Sequence, residues 1–176
     1  MTRFRSNGKL LITGEYLVLD GAMALAVPTK RGQSMLVEAG PKGTLNWQSF
    51  DHNQECWLEV VFELPSLRIL SETFTSDSEG AGNSVAIKLQ EVLQIAKRLN
   101  PDFLVTEDGY VVQSFLQFPR NWGLGSSSTL VNNVASWSSA DPFRLQFESF
   151  GGSAYDIACA QVDGPIQYQL LNNQPS

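Results

Sequence analysis

The strongest constraint on this chain is where its apolar runs stop. Over the first half they are short, and each is closed by a glycine, a proline or an Asp-Gly pair. Lys9 to Thr13, Tyr16 to Leu19 and Ala22 to Val27 are broken by Gly14 and by Asp20-Gly21. An Asp-Gly pair between apolar runs predicts a hairpin. Gln33 to Ala39 and Thr44 to Phe50 read as further strands on either side of the turn Gly40-Pro41-Lys42-Gly43. Cys56 to Leu64, rich in Val, Trp and Phe, is another, stopped by Pro65. Runs this short favour a sheet over a helical bundle.

The second half changes character. Ser76 to Gly82 is polar and reads as a loop, with Asn83 as an N-cap. Val85, Leu89, Val92, Leu93, Ala96 and Leu99 then recur at helical spacing, closed by Pro101. That stripe is a core face. Phe103 to Thr106 and Tyr110 to Phe118 flank Asp108-Gly109, a second hairpin signal. A small-residue helix is expected to end near Trp137, and Asp141 caps another with Pro142 in its first position. Gly151-Gly152 breaks the chain before a helix over Ser153 to Gln161, and Gly164-Pro165 turns into a last strand, Ile166 to Leu171. Strands first, then helices mixed with strands, indicate an α+β fold. No internal repeat or low-complexity tract is present.

With 176 residues, 43% of them apolar, the chain is long enough for one core and reads as one domain. Its net charge is −6 and its few Lys and Arg are scattered, which argues against nucleic acid as a partner. No run approaches the ~20 apolar residues of a membrane span, and no signal peptide is evident. The one histidine, His52, lies in the polar stretch Asp51-His52-Asn53-Gln54 and reads as a surface-loop residue. A multi-histidine zinc site is therefore excluded, and a Ser-His-Asp hydrolase is a distant reading. Cys56 and Cys159 are far apart, share no metal spacing and fit buried thiols in a reducing cytoplasm.

Chemistry concentrates in three places. In Gly123-Leu124-Gly125-Ser126-Ser127-Ser128 a glycine loop opens a helix; either its backbone N–H groups turn toward an anion and the serine hydroxyls offer ligands for phosphate or Mg²⁺, or it is a glycine turn whose serine simply caps the helix. It is neither a Walker A loop nor a dinucleotide fingerprint. In Gly8-Lys9-Leu10-Leu11-Ile12-Thr13-Gly14-Glu15 a lysine enters an apolar strand and a glutamate follows it. In Gly151-Gly152-Ser153-Ala154-Tyr155-Asp156 an aspartate stands early in a small-residue helix, where it can act as a base or simply complement the helix dipole.

In this order the segments resemble the GHMP small-molecule kinases, the superfamily of galactokinase, homoserine kinase, mevalonate kinase and phosphomevalonate kinase. Gly8 to Gly21 looks like the first family motif and Asn121 to Asn132 like the second. Ser153 to Asp156 looks like the segment bearing the catalytic aspartate, and Tyr155-Asp156-Ile157-Ala158 is similar to a bacterial subgroup with a Gly-Tyr-Asp-Ile-Ala signature. The resemblance covers nearly the whole chain. It implies the α+β N-terminal domain of these kinases, like domain 2 of ribosomal protein S5, and ATP-dependent phosphorylation of an alcohol or phosphate acceptor of mevalonate or phosphomevalonate type. By position Asp156 would be the base, and Lys9 would hold it ionised and steady the transferring group. Gly123, Leu124, Gly125, Ser126, Ser127 and Ser128 would wrap the ATP phosphates, with Ser127 on Mg²⁺. Glu15, Tyr16 and Ser153 would face the acceptor, and Glu148 is the nearest acid for the metal.

The chain departs from the family pattern where the usual Glu-His reads Glu15-Tyr16 and where Ala154 replaces a glycine. Family members carry a second domain of comparable size, and residues 1–176 match only the first. The expectation is an uncovered domain interface and self-association. The alternative function is a truncated, non-catalytic nucleotide-binding fragment.

Overall fold

The computed structural model describes residues 1–15, 17–75, 82–171 and 174–175. Its strands are β1 (Thr2–Thr13), β2 (Ala24–Gly40), β3 (Thr44–Phe50), β4 (Cys56–Glu63), β5 (Ile69–Phe74), β6 (Gly109–Leu116), β7 (Ile166–Tyr168), β8 (Leu170–Leu171) and β9 (Gln174–Pro175). Its α-helices are α1 (Gly82–Leu99), α2 (Ser126–Ser138), α3 (Pro142–Ser149) and α4 (Tyr155–Ala160). Seven strands form one sheet in the order β1-β2-β6-β3-β4-β5, with β7 paired to the start of β2. Only β3 and β6 run parallel. The helices lie together against the face that carries Met35, Leu45, Trp47, Val60, Phe62 and Val112. Leu89, Val92, Leu93 and Ala96 of the helical stripe join that core.

Most expected elements form, and the differences have local causes. The Asp20-Gly21 hairpin does not form. Leu17–Asp20 is a 3-10 turn that buries Val18, whose N–H bonds the Gly14 carbonyl at 2.9 Å. Four residues are too few to pair there, and β1 pairs with β2 across the turn. Ala24 to Val27 and Gln33 to Ala39 belong to one strand, β2, in which Pro28 pairs with Lys9 beside a bulge. The register jumps from Asn7 opposite Gly32 to Gly8 opposite Thr29, so Lys30 and Arg31 loop out.

The Asp108-Gly109 hairpin also fails. Residues 101–104 are turns, and Phe103 packs edge-on against Trp137 at 4.7 Å instead of pairing. β6 then inserts between β2 and β3, so the Gly40–Gly43 turn joins strands that are not neighbours. β5, an edge strand without a buried face, gives no alternation to read. Helix α1 begins at Gly82, so Asn83 lies inside it; the expected loop before it lies otherwise outside the described residues. Asp141 does cap α3, its carboxylate accepting from the Phe143 and Arg144 N–H groups at 2.9 Å each.

Helix α2 is held to the sheet partly by polar contacts. Ser6 donates to Asn133 Oδ1 and accepts from Asn132, both at 2.8 Å. Asn133 also donates to the Gln33 carbonyl at 3.1 Å, and Thr129 donates to Gln33 Oε1 at 2.7 Å. Ser6, Gln33, Thr129, Asn132 and Asn133 are all buried. These bonds set the height of α2 above β1 and β2, and so the position of its N-terminus. Buried polar groups left without partners destabilise strongly. Asn133→Ala is therefore expected to lower unfolding stability by about 2 kcal/mol in urea denaturation.

Candidate functional site

The glycine loop and β1 touch at one point. The Lys9 N–H donates to the Leu124 carbonyl at 3.0 Å. A Cβ on Gly8 would lie 2.5 Å from Thr29 Oγ1 and 3.0 Å from the Leu124 oxygen, so only glycine admits this approach. Gly125, at φ 84°, is the N-cap of α2, and a Cβ there would meet Ser128 Oγ at 2.6 Å and Lys9 Cγ at 3.2 Å. The Lys9 side chain thus runs across Gly125, and its Nζ ends 5.2 Å from the centre of the Tyr155 ring at the start of α4. Two segments separated by more than a hundred residues are joined through this lysine.

The first hydrogen bond of α2 runs from the Thr129 N–H to the Gly125 carbonyl at 3.0 Å. The amides of Ser126, Ser127 and Ser128 therefore lack intrahelical acceptors and carry the positive end of the helix dipole. Ser127 is exposed and Ser126 half-buried, so both hydroxyls are accessible. Ser128 is not: it is fully buried and donates to the Gly125 carbonyl at 3.0 Å, so its hydroxyl holds the loop's shape.

Asp156 is half-buried in the first turn of α4, and its Oδ1 accepts from the Ile157 N–H at 3.1 Å. Lys9 and Asp156 form no direct ion pair; Lys9 lies over Tyr155 instead. Both charges reach the buried Cys159. Burial first, and then Asp156, push that thiol up to about 11, against an opposing pull from Lys9. Burial and the same aspartate push the Tyr168 hydroxyl up to about 12. Tyr168 donates to the Ser153 carbonyl, which pins the segment ahead of α4.

Two hollows adjoin this point. One, of about 420 Å³, is walled by Trp47, Phe50, Trp57, Val85, Leu89 and Leu130, with Ser126, Ser127, Lys88 and Arg120 also lining it. The other, of about 330 Å³, brings together Glu15, Ser153 and Asp156. Phe150 lines both. Gln146 lines the second; its amide donates to the Gly151 carbonyl at 3.1 Å, while its buried Oε1 has no partner among the described residues. The sequence reading does not foresee the apolar hollow, because its walls come from segments far apart in the chain; of its lining, Ser126 and Ser127 read as loop residues and Val85 and Leu89 as part of a core stripe, while Trp57 and Arg120 carry no local signal of a site.

Glu148 is brought to neither hollow. Its carboxylate is taken by Arg98 and Arg144, which hold it below the usual carboxylate range. Tyr16 lies outside the described residues. His52 is exposed in the β3–β4 turn, beside Asp51 at 3.8 Å. Cys56 and Cys159 are unpaired. Among the described residues no group of three His, Cys, Asp or Glu side chains converges as a metal site, and no helix is long and apolar enough to cross a membrane.

No family model matches the chain. No curated protein matches it either. Solved structures do. The mevalonate kinase of Methanococcus jannaschii superposes with a TM-score of 0.66 at 13% identity, over 99% of this chain and 55% of that one. Streptococcus pneumoniae phosphomevalonate kinase in complex with phosphomevalonate and AMPPNP gives 0.63 at 17% identity, over 96% and 50%. Lactococcus lactis galactokinase complexed with galactose gives 0.62 at 14%, over 99% and 46%. The chain spans about half the length of these kinases. It has the α+β fold of the N-terminal domain of GHMP kinases.

Ala154, next to the start of α4, adopts φ 60° and ψ 17° while almost fully buried. The left-handed region costs an L-residue about 1–2 kcal/mol. Ala154→Gly is therefore expected to raise stability by about 1 kcal/mol. Thermal melting would read this as a rise of about 2–4 °C, and a lowered midpoint would contradict it.

Proposed function

We propose that this chain is the nucleotide-binding half of an ATP-dependent small-molecule kinase that transfers the γ-phosphoryl group to an alcohol or phosphate acceptor, most closely of mevalonate or phosphomevalonate type. The observation that carries the reading is that Lys9 touches the glycine loop at Leu124 and Gly125 and reaches Tyr155, beside Asp156, while Ser126 and Ser127 line one hollow and Tyr155 and Asp156 line the other. The nucleotide base occupies the apolar hollow, and its phosphates cross the free amides at the start of α2. The acceptor occupies the hollow of Glu15, Ser153 and Asp156.

In the transfer, Asp156 takes the proton of the acceptor hydroxyl as the oxygen–phosphorus bond forms and the bond to ADP breaks. A phosphate acceptor needs no such proton removal. Lys9 sits where its charge steadies the oxygens of the moving group, and the α2 amides stabilise the charge left on ADP. The reading includes Mg²⁺, which would neutralise phosphate charge. The exposed Ser127 hydroxyl fits as one ligand, and this ion commonly takes its others from phosphate and water. Glu148, already held by two arginines, does not fit that role.

A second reading is favoured by the half-length match: a nucleotide-binding fragment that does not turn over. Calorimetry with ATP and a coupled ADP assay over mevalonate, phosphomevalonate, homoserine and sugars separate the two. Asp156→Asn and Lys9→Ala, made in the full natural polypeptide, are expected to reduce turnover at least a thousandfold while ATP affinity changes less than about fivefold. Undiminished turnover in Asp156→Asn would remove the base assignment for an alcohol acceptor.

The reading also implies a partner surface. Leu10, Ile12, Leu17, Leu19 and Met23 are exposed around β1 and the following 3-10 turn. The 176-residue chain is expected to self-associate at tens of micromolar in sedimentation velocity. A single monomeric boundary, unchanged by Leu10→Lys, would contradict this.

A further inference from the structure

Arg120 sits in the 3-10 turn Arg120–Trp122, immediately ahead of the glycine loop. Its guanidinium centre lies 3.9 Å from the centre of the Trp57 ring. Among the described residues it makes no hydrogen bond and no ion pair, and its partial withdrawal from water lowers its pKa. The other cation of the same hollow, Lys88, is already occupied: it pairs with Glu91 at 2.8 Å and donates to the Ser149 carbonyl. Arg120 is therefore the unneutralised charge on that wall. It shares the hollow with Ser126 and Ser127, whose amides lack acceptors.

A guanidinium held over an indole by a cation–π contact keeps N–H donors available and loses little freedom on binding. Such donors match phosphate oxygens. We infer that Arg120, held over Trp57, is a phosphate receptor of this site, gripping the polyphosphate of a nucleotide as it passes from the apolar hollow to the glycine loop. The inference rests on the nucleotide reading above and adds to it a specific anion contact that the three sequence motifs do not contain. Trp57 is a positioning residue, acting through Arg120.

The test is equilibrium binding, independent of turnover. A non-hydrolysable ATP analogue and inorganic tripolyphosphate are titrated into the wild type, Arg120→Gln, Arg120→Lys, Trp57→Phe and Trp57→Leu. Unliganded thermal melts check that each variant is folded. Arg120→Gln is expected to weaken both ligands at least tenfold and by similar factors. Arg120→Lys, which keeps the charge without the flat fork, should fall in between. For tripolyphosphate, which makes no base contact, Trp57→Phe should stay closer to wild type than Trp57→Leu, which should bind several-fold less tightly. If Arg120→Gln misfolds, the Arg120→Lys and Trp57 pair decide alone. Unchanged binding by the Arg120 variants overturns the inference and leaves the nucleotide reading standing. So does a loss confined to the ATP analogue, or a wild type that ignores tripolyphosphate, because the contact would then be to the base. A wild type that binds neither ligand overturns both.

Discussion

The hydrogen bond from the Lys9 N–H to the Leu124 carbonyl is the joint on which the site depends. It fastens the edge strand to the glycine loop, and it forms because Gly8 and Gly125 have no Cβ to keep the two backbones apart. Once made, it lays the Lys9 side chain over Gly125 and carries its ammonium to Tyr155. The buried amide and hydroxyl contacts around Ser6, Gln33 and Asn133 fix α2 above the same strands. Strand, loop and helix are thereby held in one relation, which is what positioning chemistry requires.

The electrostatics follow from that placement. A helix N-terminus without a side-chain cap faces the loop, one lysine stands beside it, and one carboxylate begins the neighbouring helix. The hollows on either side differ in character, one apolar and aromatic, the other holding Glu15 and Asp156. A flat, largely apolar group and a polar acceptor suit these two spaces, and Phe150 is the wall they share. Glu148 belongs to the scaffold instead, tying α3 to α1 through Arg98.

Local signals made much of this legible. The stripe from Val85 to Leu99 is periodic and forms α1; Asp141 and Pro142 start α3; Cys56 to Glu63 alternates and ends at Pro65. The glycine loop announced itself through residues whose backbone chemistry has few other uses. Two Asp-Gly hairpins were misread because the pair reports a turn and says nothing of what pairs across it. The hydroxyls of Ser127 and Ser128 are equally local signals, and only burial separates them: that of Ser128 is turned to the Gly125 carbonyl.

By itself the sequence determined that a sheet-based α+β domain would form, and it singled out Lys9, the Gly123–Ser128 loop and Asp156 as candidates for its chemistry, since periodicity, turn residues and glycine spacings are written locally. The tertiary structure alone decided that β6 slips between β2 and β3, that Lys9 rests on Tyr155 without pairing directly to Asp156, and that Arg120 lies over Trp57. Those outcomes depend on which distant segments the packed core brings within a few ångströms, and no local pattern encodes that distance.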